Sequence, residues 1–340
     1  MEKVTIGVLN YNGKETLPDT LQSIVNLSYP TFEVLVVDNG STDTSRGLLQ
    51  KSFPHIRCIA LESNVGSAAG RNIILQESKT RYVLCLDNDI VLEPDALTSL
   101  MKVMQTVPQA AVCHPEIQDP TDQEASFHYN GGWVHYLCAL VPRSYCAKER
   151  PTYEVFDVVS GGALLIDREA ASHIGGFDDD YFFNMEDGDF TVRFTLSGYL
   201  CLNVPRAVVY HRKKPRGTSK AFYQVRNRWF FIIKLYSWRT ILLVSPMLFL
   251  FEVSQALFLG LQGDVKSYWK GTWAAVCEFP NLIRKRQAFQ RIKIKADRDW
   301  LREGELFVPH QLVKGKLFKI ILKAYSVFFN LYWRVIRPLC

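Results

Sequence analysis

Several signatures of familiar protein classes are missing from this sequence of 340 residues. Its eight cysteines form no C-x-x-C pair and several lie inside apolar runs, so buried thiols fit better than a disulfide framework or a structural zinc site. Neither a P-loop nor a G-x-G-x-x-G motif follows the first predicted strand, and Ser160 lacks a G-x-S-x-G elbow. These absences argue against a kinase, a dinucleotide-dependent dehydrogenase and a serine hydrolase.

The beginning of the chain also lacks a long hydrophobic run. Residues 1–10 are typical of a short apolar strand rather than a signal peptide, which predicts that the chain starts in the cytoplasm. With 48% hydrophobic residues, the sequence has ample material for a packed core, which excludes a disordered or fibrous chain. The length predicts one large domain with an appendage, or two domains.

The net charge of +6 conceals a sharp asymmetry between the two ends of the chain. Residues 1–200 contain 14 basic and 27 acidic side chains, whereas residues 201–340 contain 26 basic and 7 acidic ones. Because the composition also changes after about residue 220, we predict a first domain over 1–218 and a helical, basic and aromatic region over 219–340. Such a separation of charge indicates that the two parts face different partners.

Short β-rich runs alternate with helical stretches near the start of the chain. The predicted elements are Val4–Leu9, Thr16–Val25, Glu33–Val37, Thr44–Lys51, Ile56–Ala60, Ala68–Glu77, Tyr82–Leu86 and Pro94–Thr106. This alternation predicts βαβ units on a mostly parallel sheet, and therefore an α/β fold. Ligands of such sheets bind at the carboxyl ends of the strands. Polar loops at residues 10–13, 38–41 and 87–89 are expected to converge there.

The middle of the chain gives weaker signals. Residues 110–165 contain turns typical of a meander or an acceptor-binding insert. Within them, residues 158–166 predict a strand with a Gly pair where another group approaches closely. An acidic, aromatic loop at 176–183 precedes a predicted helix over 187–197.

Two acidic positions follow apolar strands. Asp87 and Asp89 come after a buried run, where carboxylates are costly to desolvate without a partner. A divalent cation that also contacts ligand phosphates would supply that partner, although D-x-D by itself is common in surface turns. Asp38 fits two descriptions: a turn in which Ser41 or Thr42 caps the next helix, and a hydrogen-bond acceptor for the imide N–H of a bound base.

Two C-terminal segments indicate contact with a membrane. Residues 241–261 are nearly all apolar but are interrupted by Pro246, Glu252 and Gln255, so this segment is borderline for a span of about 20 residues. Over residues 316–337, polar and basic side chains recur every three or four residues between aromatic and aliphatic ones. This pattern predicts a helix in the interface of a bilayer with anionic lipid, or alternatively a stripe that closes the core of a soluble helical domain. The polar positions are Lys316, Lys319, Lys323, Ser326, Asn330, Arg334 and Arg337.

Five ordered motifs resemble those of the family-2 glycosyltransferases, of the rhamnosyltransferase type. They are Val4–Gly13, Val36–Asp43, Asn64–Asn72, Leu86–Asp89 and, taken together, Gly175–Asp178 with Glu186–Phe190 and Arg193. The resemblance covers roughly residues 3–215, and the order of the motifs makes it more specific than any one of them. It implies a GT-A fold, which is Rossmann-like with a mostly parallel sheet, an inverting mechanism and a nucleotide-diphosphate sugar as donor.

The resemblance also implies roles for individual residues. The implied donor-binding residues, with Asp38 at the base, are Asn10, Asn12, Asp38, Asn39, Arg71, Asp87 and Asn88. Asp89 and His211 would hold Mg²⁺ or Mn²⁺, and Asp187 would be the general base. Neighbouring residues on a helix point about 100° apart, so Glu186 cannot share the role of Asp187 and would orient the acceptor or the base.

The chemistry accounts for these residue types independently. One carboxylate removes the proton of the acceptor hydroxyl, while the departing diphosphate gains negative charge that a metal and nearby cations stabilise. Arg71 and the basic loop at 212–217 are candidates for those cations, with a surface arginine and a solvated turn as the alternatives. Asp189 is expected to pair with Arg193 one helical turn later.

The sequence therefore predicts a glycosyltransferase on the cytoplasmic face of a membrane, acting with a UDP-, dTDP- or GDP-linked sugar and a lipid-linked or glycan acceptor. A sugar nucleotidyltransferase is an alternative. Such an enzyme normally has a Gly-rich, basic loop after its first strand, and residues 10–14 match that pattern poorly. A non-catalytic scaffold of the same fold is disfavoured by the intact acids at 38, 87, 89 and 187. Nucleic acid is not an expected partner, because long apolar runs interrupt the C-terminal positive charge.

Overall fold

The computed structural model describes residues 1–118, 130–142, 151–159, 161–212, 220–305 and 316–340, with side chains in the last range described from residue 323 onward. The chain divides into two compact units. The first contains residues 1–131 and 144–217, and the second contains residues 132–143 and 218–340. The predicted functional division near residue 218 stays a prediction.

Strands and helices alternate through most of the first unit, whereas helices dominate the second. In chain order the strands are β1 (Val4–Asn10), β2 (Phe32–Asp38), β3 (Arg57–Ala60), β4 (Tyr82–Asp87), β5 (Ile90–Leu92), β6 (Ala110–Gln118), β7 (Gly132–His135), β8 (Ala139–Pro142), β9 (Glu154–Phe156), β10 (Ala163–Asp167), β11 (Leu200–His211) and β12 (Leu301–Arg302). The helices are α1 (Leu17–Val25), α2 (Ser45–Ser52), α3 (Ser67–Glu77), α4 (Ala96–Thr106), α5 (Arg168–His173), α6 (Glu186–Leu196), α7 (Ala221–Leu235), α8 (Trp238–Leu261), α9 (Val265–Cys277), α10 (Phe279–Gln290), α11 (Asp297–Trp300) and α12 (Lys316–Ile336).

Nine strands of the first unit form one sheet in the order β3-β2-β1-β4-β10-β6-β11-β5, and β9 pairs with β11. Strands β3, β2, β1 and β4 are parallel, whereas β10 is antiparallel to both of its neighbours. In the parallel register Asn10 lies beside Asp38, and Leu9 lies beside Asp87. The three strands that carry the predicted site residues therefore end side by side.

The predicted α/β architecture is confirmed, and every element predicted before residue 107 is present with bounds shifted by one or two residues. Strand β6 is a difference, because its sequence was interpreted as part of a meander. It is an inner strand in which Ala111–Ile117 are all buried, but His114, Pro115 and Glu116 interrupt its β-type composition. The strand predicted over 158–166 begins only at Ala163, so the Gly pair precedes it.

Helix α3 packs unusually close to strand β1. A Cβ atom on Gly7 would lie 2.1 Å from Cγ2 of Ile74, and one on Gly70 would lie 2.5 Å from Cδ1 of Leu9. Both glycines thus permit a helix-to-sheet approach that a larger residue would block. This close packing carries Arg71, the residue after Gly70, into the interior beneath the carboxyl ends of the strands.

The second unit is helical, with a small sheet in the order β12-β7-β8. Helix α12 contributes aromatic side chains to its core: Phe329 and Trp333 are buried, and the Trp333 ring stacks on Tyr136 at 4.8 Å. Ser326, predicted to face lipid headgroups, is also buried. Part of the stripe therefore closes the core of the unit, which was the alternative for this segment, and the membrane contact of the helix stays a prediction.

Among the described residues, one helix is long and apolar enough to cross a membrane. This is α8, with a mean hydropathy of 1.9 and 22% of its most apolar window buried. Pro246 lies inside the helix.

The approach of α3 to β1 generates a stability prediction. Gly7→Ala should lower the free energy of unfolding by about 1–3 kcal/mol, because the new methyl group must displace the buried, branched Ile74. Gly47→Ala is the matched control, since nothing lies within 4 Å of a Cβ atom at this exposed position in α2. It should raise stability by about 0.5–1 kcal/mol. Urea unfolding followed by circular dichroism measures both, and equal effects would contradict the packing described.

Candidate active site

Asp38 is held rigidly at the end of β2. Its Oδ2 accepts a hydrogen bond from Asn10 Nδ2 at 2.7 Å, and its Oδ1 accepts one from the backbone N–H of Ser41 at 3.0 Å. Asn10 Nδ2 also lies 3.0 Å from Ser45 Oγ. Both side chains are almost fully buried, so the carboxylate keeps one orientation.

The asparagines beside Asp38 brace the loops. The side chain of Asn39 bonds to Asn64, to the Gly66 carbonyl at 3.1 Å and to the Val65 amide at 2.9 Å. Asn12 is exposed and accepts from the amide of Thr42 at 2.8 Å. The side-chain amides of Asn12 and Asn39 therefore hold the loops around Asp38 in place.

Asn88 has a similar bracing position. Its Nδ2 donates to Asn10 Oδ1 at 2.8 Å, and its backbone carbonyl accepts from Thr20 at 3.0 Å. Asn88 thus ties the turn after β4 to the end of β1. The side chain that the resemblance assigned to donor binding is turned toward the end of β1.

Arg71 connects the strand ends to helix α6. Its guanidinium is 3% exposed and donates to Asp87 Oδ1 at 2.8 Å, to Glu186 Oε1 at 3.2 Å and to the Gly161 carbonyl at 3.0 Å. Ser67 also donates to Glu186. Burial, followed by the charge of Asp187, raises the pKa of Glu186, while Arg71 and Ser67 oppose that shift.

Asp187 begins the same helix but is less enclosed than Glu186. Its Oδ2 accepts from the amide of Gly161 at 2.7 Å, and its Oδ1 accepts from the amide of Gly188 at 2.8 Å. A Cβ atom on Gly161 would lie 2.7 Å from the Cβ of Asp187, so only glycine permits this approach. Gly161 therefore contacts both the arginine and the predicted base.

Asp189, by contrast, is a structural residue. It is fully buried and pairs with Arg193 at 2.8 Å, which confirms the predicted pairing. The hydroxyl of Tyr181 donates to its other oxygen at 3.0 Å. These contacts fix α6 and leave the two acids before it to line the site.

The loop before α6 has an uncommon backbone. Phe182, Asn184 and Met185 all have positive φ values, of 57°, 70° and 68°. Non-glycine residues in this conformation cost free energy and cluster at functional sites. The loop is clamped to α3, because the amide of Ser67 donates to the Phe182 carbonyl at 2.6 Å.

The two predicted metal ligands lie next to each other. His211 Nε2 lies 3.2 Å from Asp89 Oδ1, and Asp89 is buried in the turn after β4. Among the residues that the structure describes, no three His, Cys, Asp or Glu side chains cluster as a metal site. An imidazole and a carboxylate are a suitable partial donor set for a divalent cation whose other ligands are phosphate oxygens and water.

The basic loop at 212–217 is described only at its first residue. Arg212 is exposed and pairs with Asp19, and residues 213–217 lie outside the described part of the chain. The structure therefore forms two hydrogen-bonded groups that adjoin where Asp87 and Asn88 follow each other in the chain, with Asp89 and His211 as an adjacent pair. The first group is Asn10, Asp38 and Asn88, and the second is Arg71, Asp87, Glu186 and, through Gly161, Asp187. Ser67 and Gly161 were not predicted as site residues, although a conspicuous Gly pair marked the position of Gly161.

Comparison with known proteins decides the family. The model of glycosyl transferase family 2 matches residues 5–175, half of the chain. The chain belongs to glycosyl transferase family 2. This membership makes it a glycosyltransferase and favours that prediction over the sugar nucleotidyltransferase.

Relatives of this chain include a rhamnosyltransferase and a polysaccharide synthase. An N-acetylglucosaminyl-diphospho-decaprenol L-rhamnosyltransferase of Mycobacterium tuberculosis is 28% identical over 58% of this chain and 72% of its own length. A poly-beta-1,6-N-acetyl-D-glucosamine synthase of Staphylococcus epidermidis is 25% identical over 62% of this chain and 50% of its own length.

Solved structures show the fold. A mannosyltransferase from Pyrobaculum calidifontis in complex with GDP-Man and Mn²⁺ has a TM-score of 0.52 and 16% identity, and the match covers 98% of this chain and 86% of that one. GalNAc-T7 with UDP, GalNAc and Mn²⁺ has a TM-score of 0.59 at 15% identity, over 70% of this chain and 49% of that one. The predicted GT-A fold is confirmed.

The double contact of Gly161 generates a prediction about the site. Gly161→Ala should reduce sugar transfer by about 10-fold or more, because the methyl group pushes Asp187 from the amide that orients it. Gly162→Ala is the control, since its Cβ atom would meet only isoleucine side chains, with Cδ1 of Ile90 at 3.3 Å and Cδ1 of Ile117 at 3.8 Å. Turnover and thermal unfolding are measured for both variants. Equal loss of turnover would show that the Asp187 contact has no special importance.

Proposed function

We propose that this enzyme transfers a sugar from a nucleotide-diphosphate donor to a hydroxyl of a lipid-linked or polysaccharide acceptor, with inversion and with a divalent cation, at the cytoplasmic face of a membrane. The observation that carries this proposal is a pair of hydrogen-bonded networks that adjoin at the end of β4. One runs from Asp38 through Asn10 to Asn88, and the other runs from Asp87 through Arg71 to the acids of α6. The named relatives support the acceptor class, because one acts on a diphospho-decaprenol and another makes a polysaccharide.

The donor base binds at Asp38. Each carboxylate oxygen of Asp38 has one internal donor, which leaves a lone pair for the imide N–H of uracil or thymine, or for the corresponding N–H groups of guanine. Asn12 and Asn39 act by holding the surrounding loops. UDP-, dTDP- and GDP-linked sugars are thus the donors to test.

Asp87 and Asp89 receive the ribose and diphosphate part of the donor. Asp89 and His211 would hold Mg²⁺ or Mn²⁺, which would neutralise charge on the departing diphosphate. Mn²⁺ in two solved structures of the same fold supports this choice of cation. Arg71 contributes to donor binding indirectly, since its buried guanidinium fixes Asp87.

Asp187 is the general base. Two backbone amides orient its carboxylate, and its partial exposure gives an acceptor hydroxyl access that the buried Glu186 does not offer. Asp187 takes the hydroxyl proton as the acceptor oxygen bonds to the anomeric carbon. The bond from that carbon to the diphosphate oxygen breaks, and the nucleoside diphosphate leaves with the electron pair. Glu186 positions this residue through Arg71 and Ser67.

Replacement of the base should separate turnover from binding. Asp187→Asn should lower kcat by about 10²-fold or more, the usual scale for loss of a general base, while the KM for donor changes little. Glu169→Gln removes an exposed carboxylate from α5, outside the network, and should leave kcat unchanged. Steady-state kinetics with a panel of nucleotide sugars measures both. Retained turnover in Asp187→Asn would move the base elsewhere.

Replacement of the metal pair should change metal dependence. Asp89→Ala and His211→Ala should each weaken the thermal stabilisation that Mn²⁺ and a nucleotide sugar produce together, and raise the Mn²⁺ concentration needed for it. The nucleotide without added metal, in the presence of EDTA, provides the baseline. An unchanged Mn²⁺ requirement in either variant would remove that residue from the ligand set.

A further inference from the structure

Helix α8 presents one unbroken apolar face outward from the second unit. Leu242, Phe249, Leu257 and Leu261 are 74%, 69%, 65% and 88% exposed, and their spacing places them on one side of the helix. Between Arg239 and Asp264 the sequence contains a single charged residue, Glu252. Soluble proteins rarely leave an apolar strip of this length in contact with water, because its hydration is unfavourable.

The inner face of α8 is tied to the protein. Glu252 is buried and pairs with Arg228 of α7, and its Oε2 accepts from the Tyr268 hydroxyl of α9 at 2.8 Å. Arg228 also donates to the carbonyl of Leu137 at 3.1 Å. A helix that crossed a bilayer alone would break this buried pair or carry it into hydrocarbon, and both are costly. The geometry therefore favours a helix that lies along a membrane over one that spans it.

Helix α9 continues the apolar surface. Trp269 and Trp273 are 64% and 68% exposed, whereas the opposite face packs so tightly on α7 that a Cβ atom on Gly271 would lie 2.8 Å from the Phe222 carbonyl. Helices α8 and α9 are consecutive and contact each other through Glu252 and Tyr268. Tryptophan is enriched where a protein meets the headgroup region of a bilayer.

Basic side chains accompany this surface. Lys266 and Lys270 are exposed on α9, each one residue away from the exposed apolar row, and Arg239 is exposed at the start of α8. Long basic side chains can lay their aliphatic part on the apolar surface and extend their charge to anionic headgroups. A second copy of the chain is disfavoured as the occupant, because lysines are depleted from protein interfaces and would face each other across a two-fold axis.

We propose that the outward faces of α8 and α9 dock in the plane of a bilayer containing anionic lipid, with their apolar side chains below the headgroups. We name this surface the α8–α9 face, comprising Leu242, Phe249, Leu257, Leu261, Trp269 and Trp273 with the flanking Lys266 and Lys270. The inference deepens the proposed function by assigning the surface that brings the enzyme to a lipid-linked acceptor. We propose the α8–α9 face, rather than α12, as the principal membrane contact, because Phe329 and Trp333 of α12 are buried in the core of the unit.

Vesicle binding by the full chain tests this assignment. With vesicles of phosphatidylcholine and phosphatidylglycerol, the Trp269→Ser and Trp273→Ser double variant should lose about 10-fold or more of its membrane partition. The double variant Lys266→Gln with Lys270→Gln should bind these anionic vesicles less. Its partition should then be the same for the anionic vesicles and for vesicles of phosphatidylcholine alone. The matched control is Phe328→Ser with Leu331→Ser, at two exposed apolar positions of α12, which should retain most binding.

Several results would overturn the proposal. Loss of binding in the α12 pair but not in the tryptophan pair would return the contact to α12, and a stable dimer that the tryptophan variant dissociates would make the face a protein interface. Thermal unfolding and stabilisation by Mn²⁺ with a nucleotide sugar check that each variant is folded. Because partition is measured without donor or acceptor, its failure is distinguishable from a failure of the Asp187 experiment.

Cysteine labelling distinguishes docking in the plane from a span. In a Cys277→Ser background, which removes an exposed thiol, Arg239→Cys and Gln262→Cys place a thiol at each end of α8. In sealed membrane vesicles, an impermeant maleimide added from the side that exposes the enzyme should modify both positions, as read by mass spectrometry. Modification of only one end without detergent would show that α8 crosses the bilayer.

Discussion

The buried guanidinium of Arg71 is the interaction on which the candidate active site depends. It pairs with both Asp87 and Glu186, whose carboxylates lie at the end of β4 and the start of α6. Removing one partner from a buried ion pair costs about 3–5 kcal/mol, because the remaining charge is left without compensation. Without the arginine between them, the two acids would lack the cation that they share. Its position in turn requires glycine at 7 and 70, where α3 approaches β1.

Arg71 also couples the end of β4 to the start of α6, because it contacts Asp87 directly and Asp187 through Gly161. The Gly161 carbonyl accepts from Arg71 while its amide donates to Asp187, so a shift of the arginine would be transmitted to the proposed base. On the other side of α3, Ser67 holds both Glu186 and the carbonyl of Phe182. The positive φ values before α6 persist because these contacts over-determine the loop. The strained backbone thus lies directly before the carboxylate that we propose as the base, which must be held in one orientation.

Local sequence predicted much of the fold but only part of the site. The alternation of strands and helices predicts a parallel sheet and the edge at which its polar loops converge. The acids at the strand ends are recognisable because a desolvated carboxylate needs a partner. Strand β6 was missed because His114, Pro115 and Glu116 carry no β signal, and only its inner place in the sheet buries them. The bracing by Asn88 and the clamp at Ser67 join residues 78 and 119 positions apart, and periodicity does not report contacts at such separations.

The same limit explains why hydropathy alone does not separate the roles of α8 and α12 in the second unit. A stripe of aromatic residues at helical spacing indicates that one face of the helix is shielded from water. The pattern does not indicate whether protein or lipid covers that face. In α12 the cover is protein, since Tyr136 stacks on Trp333 and donates to the carbonyl of Phe329. In α8 the one charged residue between Arg239 and Asp264, Glu252, points into the unit, whereas large apolar side chains such as Leu242 and Phe249 are exposed. Water solvates such an apolar surface poorly, and this physical requirement, rather than hydropathy alone, supports the proposed docking of the helix on a membrane.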